Sequence, residues 1–283
     1  MRRFSQLYES LDATTSTNAK VQAMAEYLRA VPAEDAAWAI FFLTGQRLKR
    51  LISGRILRGW ALRHTGLPEW LVVEAHASVG DSAETVALLV GTDEGGADAS
   101  GMPLHRWLEE RILPLRELPA EAQYAAVTSW WRELPRGDLF LLNKLLTGAF
   151  RVGVSNLLVV RALARVSGLP PGALSHRLMG RWQPTGAWYR GLIAAARSAD
   201  DRSRPFPFFL ASLLEQSPEA LGAFEDWFAE WKWDGIRAQL IRRGGDIFLW
   251  SRGEELITDR FPELAQAAAH LPDGTVLDGE VLA

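Results

Sequence analysis

The chain has 283 residues, 48% hydrophobic and 23% charged, with a formal net charge of -3, enough for about two domains of ordinary globular composition. It has no cysteine and 5 histidines, which excludes disulfides, thiolate zinc sites and a cysteine nucleophile. No apolar run reaches the ~18 residues of a membrane span, and the start, MRRFSQLYESLD, lacks the apolar segment of a secretory signal; a cytoplasmic location without a membrane partner is expected.

From Thr17 to about Gly191 the pattern is helical. In NAKVQAMAEYLRAV, Val21, Met24, Ala25, Leu28 and Val31 recur at three- and four-residue steps behind a capping Ser16 or Thr17. EDAAWAIFFLTG is more uniformly apolar, as expected of a buried helix. SGRILRGWALRHTG, LPEWLVVEAHASVG and DSAETVALLVGT follow, each ending near glycine or threonine. GTDEGGADASGMP is a loop by its glycines and acids. After it come PLHRWLEERILPL, PAEAQYAAVTSWWREL, GDLFLLNKLLTGAF and SNLLVVRALARVSG. About ten short helices and no alternating strand predict an all-α domain over residues 1–200.

Asp200-Asp201-Arg202-Ser203-Arg204-Pro205 is polar and reads as a linker. Past Pro218, EALGAFEDWFA predicts a short helix. WKWDGIRAQLIRR and IFLWSRG predict two strands joined at Gly244-Gly245-Asp246. RFPELAQAAAHL predicts another helix and GTVLDGEVLA a further strand. Residues 206–283 are therefore expected to be an α+β domain, and one that stops on an apolar strand is expected to be incomplete.

Charge divides along the same line. Residues 1–205 hold 25 basic and 20 acidic residues, whereas residues 206–283 hold 6 and 14. From Leu139 to Ala199 there are eight basic residues (Lys144, Arg151, Arg161, Arg165, Arg177, Arg181, Arg190, Arg197) and no acidic one. Such a span creates positive potential on some face. That face is either a set of solvated helix surfaces or one that tracks a phosphate backbone.

The stretch EWKWDGIR sets Lys232 between two tryptophans. On a strand, Glu230, Lys232 and Asp234 would share one face and Trp231 and Trp233 the other, anchored in a core. A solvated strand face gives the same alternation. Lys232-Trp233-Asp234-Gly235 with Arg237 has the form KxDGxR, followed by Ser251-Arg252-Gly253-Glu254 and then Leu277-Asp278-Gly279-Glu280. In this order and spacing the chain resembles the ATP-dependent DNA ligases of the covalent nucleotidyltransferase superfamily. There KxDGxR is the adenylation motif, SRxG is the next element and a DGE strand follows.

The resemblance extends upstream to the run from Lys144 through Gly148, Arg151 and Gly153 to Ser155, similar to a segment of the ligase DNA-binding domain. Pro207-Phe208-Phe209-Leu210-Ala211 stands where the family enters its catalytic domain, with phenylalanine in place of the usual methionine. It covers the chain from roughly its start to Ala283. It implies a multidomain protein: an all-α DNA-binding domain at 1–200, then an incomplete α+β nucleotidyltransferase domain at 206–283.

The chemistry implied is attack of a lysine amine on the α-phosphate of ATP, transfer of AMP to a DNA 5′-phosphate, and sealing of the nick. An ordinary lysine, near pKa 10.4, is protonated at neutral pH and must be activated. Flanking carboxylates favour its charged form, so the cation bound with ATP is the expected activator. By resemblance Lys232 is the nucleophile and Glu230 accepts from the adenine amine. Arg237 and Arg252 meet ribose or phosphates. Glu280 binds a ribose hydroxyl or a metal ion, and Asp234 supports the loop or the metal. Alternatively, Arg252 pairs with Glu254 or Asp259, and Glu280 is a solvated strand residue.

Lys144 and Arg151 lie seven apart, on one face if the helix continues, and Gly148 and Gly153 permit close approach of a phosphate. The alternative is a helix end at Gly148 with basic residues complementing its dipole. The expected DNA contacts are Lys144, Arg151, Gly153, Arg161 and Arg165. The expected partners are nicked double-stranded DNA, ATP and Mg2+ (or Mn2+), on a monomeric protein. Family elements beyond the DGE strand, including an OB-fold, are not in these residues, so a portion of a longer ligase is expected, one that does not ligate alone and self-adenylates poorly. The rival readings are a non-catalytic nick- or end-binding module, an RNA ligase or an mRNA capping enzyme.

Overall fold

The computed structural model describes residues 1–91, 101–180, 182–195, 203–208, 213–253 and 255–282. Most of the predicted loop GTDEGGADASGMP (residues 92–100), Arg181, Arg197, Asp200–Arg202, Phe209–Ala211, Glu254 and Ala283 lie outside them. The chain divides into two compact units, Met1–Pro171 with Gln183–Ile193, and Gly172–Trp182 with Ala194–Ala283.

The first unit is helical: α1 (Arg2–Asp12), α2 (Thr17–Ala30), α3 (Ala33–Leu43), α4 (Gly54–Thr65), α5 (Glu69–Val79), α6 (Ser82–Val90), α7 (Leu104–Arg106), α8 (Ala120–Glu133), α9 (Arg136–Thr147) and α10 (Asn156–Ser167). Helix α7 continues as a π turn (Trp107–Ile112) and a 3-10 turn (Leu113–Glu117), where Pro114 cannot donate to a regular helical ladder. Helix α11 (Pro171–Leu178), apart from its first residue, packs with the second unit, and α12 (Gly186–Ile193) returns to the first. No single described helix is long and apolar enough to cross a membrane.

Local chemistry sets these helices. Ser16 caps α2 by accepting from the Ala19 N–H, Ser53 caps α4 by accepting from Ile56, and Asp81 caps α6 by accepting from Ala83 and Glu84; each such cap is worth about 1 kcal/mol. The periodic face of α2 is buried at Val21, Met24, Ala25 and Leu28 as its spacing predicts, with Val31 half-buried. Helix α3 is buried nearly all round. Phe150, just past α9, stacks on Phe4 of α1 at 5.6 Å between ring centroids and meets Tyr8 and Phe42 at 5.4 and 5.5 Å. This ring cluster fastens the segment after α9 into the core.

The second unit is built on a three-stranded antiparallel sheet in the order β2-β1-β3, with β1 (Ile236–Arg243), β2 (Asp246–Ser251) and β3 (Val276–Val281). The hairpin turns at Gly244 and Gly245 as predicted, and α13 (Pro262–Ala268) covers the predicted helix. A small core joins Ala238, Leu249 and Ile257 to Leu240, Phe261, Leu264 and Val281.

Two local expectations fail. EALGAFEDWFA forms two 3-10 turns, Pro218–Leu221 and Phe224–Asp226, rather than a helix. Gly222 stands between them at φ +93° and ψ -149°, a conformation essentially restricted to glycine. The strand expected from Trp231 begins only at Ile236, the first residue with a ladder partner, Val281. Without a ladder nothing imposes alternating faces on residues 230–235. Trp231 and Trp233, expected in a core, are accordingly 85% and 61% exposed.

Candidate active site and nucleic-acid interface

In the second unit an open cavity of about 980 Å³ is lined by Lys232 together with Glu230, Asp234, Arg237, Arg252 and Glu280. Phe208, Ser251 and Asp278 also line it. Three pieces of backbone converge to make it: the irregular segment 230–235, the turn after β2, and β3. In the β1–β3 register Arg237 lies opposite Glu280 and Gln239 opposite Asp278. The side chains of Arg237, Asp278 and Glu280 therefore emerge on one face. The Arg252 N–H donates to the Arg237 carbonyl at 2.9 Å, which ties the SRxG turn to β1.

Two contacts define the site electrostatically. Arg237 Nε donates to Asp278 Oδ1 at 2.7 Å. That hydrogen bond, reinforced by the charges of Asp278, Glu280 and Glu230, raises the Arg237 pKa above its ordinary value. Glu280 Oε1 accepts from the Gly235 N–H at 3.1 Å. Gly235 itself presses on β3: a Cβ there would come 2.3 Å from the Val281 carbonyl oxygen and 3.2 Å from Glu280 Cγ. The segment carrying the lysine is thus pinned to β3 at its C-terminal end, three residues past Lys232.

Lys232 is exposed and has no hydrogen-bond or ion-pair partner among the described residues. The same holds for the side chains of Glu230, Asp234 and Arg252. Arg252 therefore has no pairing with Asp259, while Glu254 lies outside the described residues. Among the described residues no three His, Asp or Glu side chains converge as a metal-ligand set. Glu280, the candidate metal ligand, is committed to the Gly235 N–H, and Asp278 to Arg237. The described residues alone therefore do not assemble a metal-ligand set.

Asp278 was assigned no role from the sequence, yet it is the residue that holds Arg237. The available signal was the two-residue step from Asp278 to Glu280, which puts both on one strand face. Phe208, which the resemblance places at the entry to the catalytic domain, lines the cavity.

The basic residues expected to meet DNA lie in different environments. Helices α2 and α10 pack side by side, so that Arg161 donates to Asn18 Oδ1 at 2.8 Å and Arg165 to Gln22 Oε1 at 2.9 Å. Lys20 Nζ donates to the Gly153 carbonyl at 2.9 Å, and Arg29 to the Arg165 carbonyl at 2.5 Å. The Arg151 carbonyl accepts from Tyr8 at 3.1 Å, leaving its guanidinium exposed. Lys20 and Arg29 therefore join Gly153, Arg161 and Arg165 in one basic seam, with partners that are neutral amides and carbonyls, whereas the Arg151 side chain has no such partner among the described residues. Neither Lys20 nor Arg29 was singled out from the sequence, because α2 carries no acid-free run.

Lys144 stands apart. Helix α9 ends at Thr147, with Gly148 at φ +65°, so the seven-residue spacing does not place Lys144 and Arg151 on one helical face. Lys144 Nζ pairs with Asp81 Oδ2 at 2.7 Å, its side chain only 13% exposed, and sits 5.2 Å from the Phe140 ring centroid. Burial alone would raise the Asp81 pKa. The hydrogen bond from Lys144 and those from the Glu84 and Ala83 N–H groups outweigh it and hold the carboxyl below its ordinary value. This lysine links α9 to the cap of α6.

Comparison with known proteins agrees with this division. Residues 1–164 match the family model described as DNA ligase N terminus, and residues 208–283 match the ATP dependent DNA ligase domain. Over its full length the chain is 31% identical to a protein from Streptomyces avermitilis, 29% to one from Koribacter versatilis and 30% to one from Streptomyces coelicolor, each named "Probable DNA ligase". The alignments cover 51%, 50% and 51% of those proteins. The chain thus spans about half the length of the curated relatives it matches.

Proposed function

The chain belongs to the ATP-dependent DNA ligase family, and from that premise we propose that Lys232 is the residue that takes AMP from ATP and that the helical unit holds a nicked duplex. The observation that carries this reading is the cavity that Lys232 shares with Arg237, Arg252 and Glu280. An amine without a protein partner needs no ion pair broken before it reacts, and the neighbouring guanidinium groups suit the phosphates of a nucleotide.

In the proposed reaction Lys232 Nζ attacks the α-phosphorus of ATP. A P–N bond forms, the bond to the β-phosphate oxygen breaks, pyrophosphate leaves, and the amine proton passes to solvent. The AMP then moves to a DNA 5′-phosphate, and attack by the adjacent 3′-hydroxyl expels AMP and closes the strand. Arg237 and Arg252 line the cavity beside Lys232 and would meet the phosphates of the bound nucleotide. Asp278 holds Arg237, and Glu280 holds the Gly235 N–H, so β3 positions the C-terminal half of the KxDGxR segment. Positioning of this kind is a large part of what phosphoryl-transfer sites supply.

The test is transfer of label from α-labelled ATP to the complete gene product, compared with Lys232→Ala. Covalent label on the wild type and none on the variant is the expected result. Equal labelling of the two would remove Lys232 from the chemistry, and a preference for GTP over ATP would move the protein to the capping-enzyme class.

A further inference from the structure

The helical unit contains a second acid-free span, from Ala36 to Pro68, with Arg47, Lys49, Arg50, Arg55, Arg58 and Arg63 as its basic residues. Residues 46–50 have no regular structure. They are held by backbone: the N–H groups of Leu51 and Ile52 both donate to the Leu146 carbonyl of α9, at 3.2 and 3.1 Å. Leu48 O lies 3.4 Å from where a Cβ would stand on Gly148, and Arg50 Cα 3.8 Å from it. The loop therefore rests on the turn that leads through Phe150 to Arg151.

Because backbone does the fastening, the side chains are left over. Arg47, Lys49, Arg50, Arg55 and Arg151 are all exposed, and none has a hydrogen-bond, ion-pair or ring partner for its side chain among the described residues. Several other cations of this unit are satisfied internally, Lys144 by Asp81, Arg63 by Glu121, Arg111 by Glu133 and Arg58 by His76 and Ser82, whereas Arg2, Arg116 and Arg132 are exposed singly on other elements. Five uncompensated positive groups around one backbone-braced turn repel one another, and a polyanion relieves that repulsion.

We propose that Arg47, Lys49 and Arg50, with Arg55 and Arg151, form a ledge that grips the sugar-phosphate backbone of the duplex, taking the role the sequence suggested for Lys144. This rests on the DNA-binding reading above and extends it to residues outside the motif-bearing segment. Flexible cations on a loop supply contacts to phosphates rather than to base edges, so the grip is independent of sequence.

The test is fluorescence anisotropy of the whole chain with a labelled nicked duplex over a salt series, for wild type, for R47A/K49A/R50A and for R47K/R50K. Each phosphate contact contributes about 0.9 to the slope of log affinity against log salt. The triple alanine variant is expected to lower that slope by about 2–3 and to bind roughly 10- to 100-fold more weakly at moderate salt, with an unchanged far-ultraviolet circular dichroism spectrum. The lysine variant should keep the slope. A triple variant with wild-type slope and affinity overturns the ledge while leaving the DNA reading intact; a wild type that does not bind the duplex overturns both. Loss of binding to phosphatidylserine vesicles in the triple variant, with DNA affinity unchanged, would reassign the loop to a lipid surface and overturn the proposal.

Discussion

Two segments of this chain have the same outline, a lysine followed by a glycine and an arginine, and they come to opposite ends. Lys144 is nearly buried and locked to Asp81 at 2.7 Å, and its helix stops before Arg151. Lys232 is exposed, without a partner, in a cavity that it shares with two arginines. In the first segment the charge is spent on structure, and free cations lie elsewhere, among them those of the loop 46–50. In the second the structural work is done by Gly235, Glu280 and Asp278, and the lysine is left available.

That contrast can be broken by substitution. Lys232→Ala should reduce AMP labelling to background, while stability stays within about 0.5 kcal/mol, as for an exposed side chain. Gly235→Ala comes next. Its Cβ would meet the Val281 carbonyl at 2.3 Å, so β1 and β3 must part, with an expected cost of about 2 kcal/mol or more and slower labelling despite an intact lysine. Wild-type labelling and stability in this variant would show that β3 does not hold the segment.

Lys144→Ala should show the reverse pattern. Leaving Asp81 half-buried without its partner should destabilise the helical unit by about 1–3 kcal/mol in a denaturant titration, with DNA affinity changed less than two-fold. Because the Asp81 pKa is depressed in the folded state, its contribution is present above the ordinary carboxylate range and lost as pH falls through the folded value. The stability gap between wild type and Lys144→Ala should therefore be full at pH 7 and close below about pH 4. A gap that widens in acid would reverse this assignment. The smallest effect is expected for Asp278→Asn. The ion pair with Arg237 is exposed, worth about 0.2–1 kcal/mol, so stability should barely move. The variant should instead raise the KM for ATP, because Arg237 loses its orienting partner.

Much of the helical unit was legible residue by residue. The buried positions of α2, the all-round burial of α3 and the caps at Ser16, Ser53 and Asp81 follow from local spacing and hydrogen-bonding chemistry. In the second unit the hairpin at Gly244-Gly245, α13 and β3 were equally legible. KxDGxR, SRxG and DGE mark three segments that the fold brings round one cavity. Alternation misled at Trp231 and Trp233, because a period of two has meaning only where a neighbouring strand enforces it, and that begins at Ile236. Basic spacing misled at Lys144, whose partner Asp81 is 63 residues away. The basic loop 46–50 passed unnoticed because its freedom from partners is a property of packing.

Residue order by itself determined which segments coil and where they are capped, since these depend on neighbours within a turn or two of chain, and the order of three short motifs named the candidate site residues. Tertiary structure alone decided which charges are used up and which remain. Pairing is a matter of distance through space, and Asp81 with Lys144, Asp278 with Arg237 and Glu280 with the Gly235 N–H join residues 63, 41 and 45 positions apart.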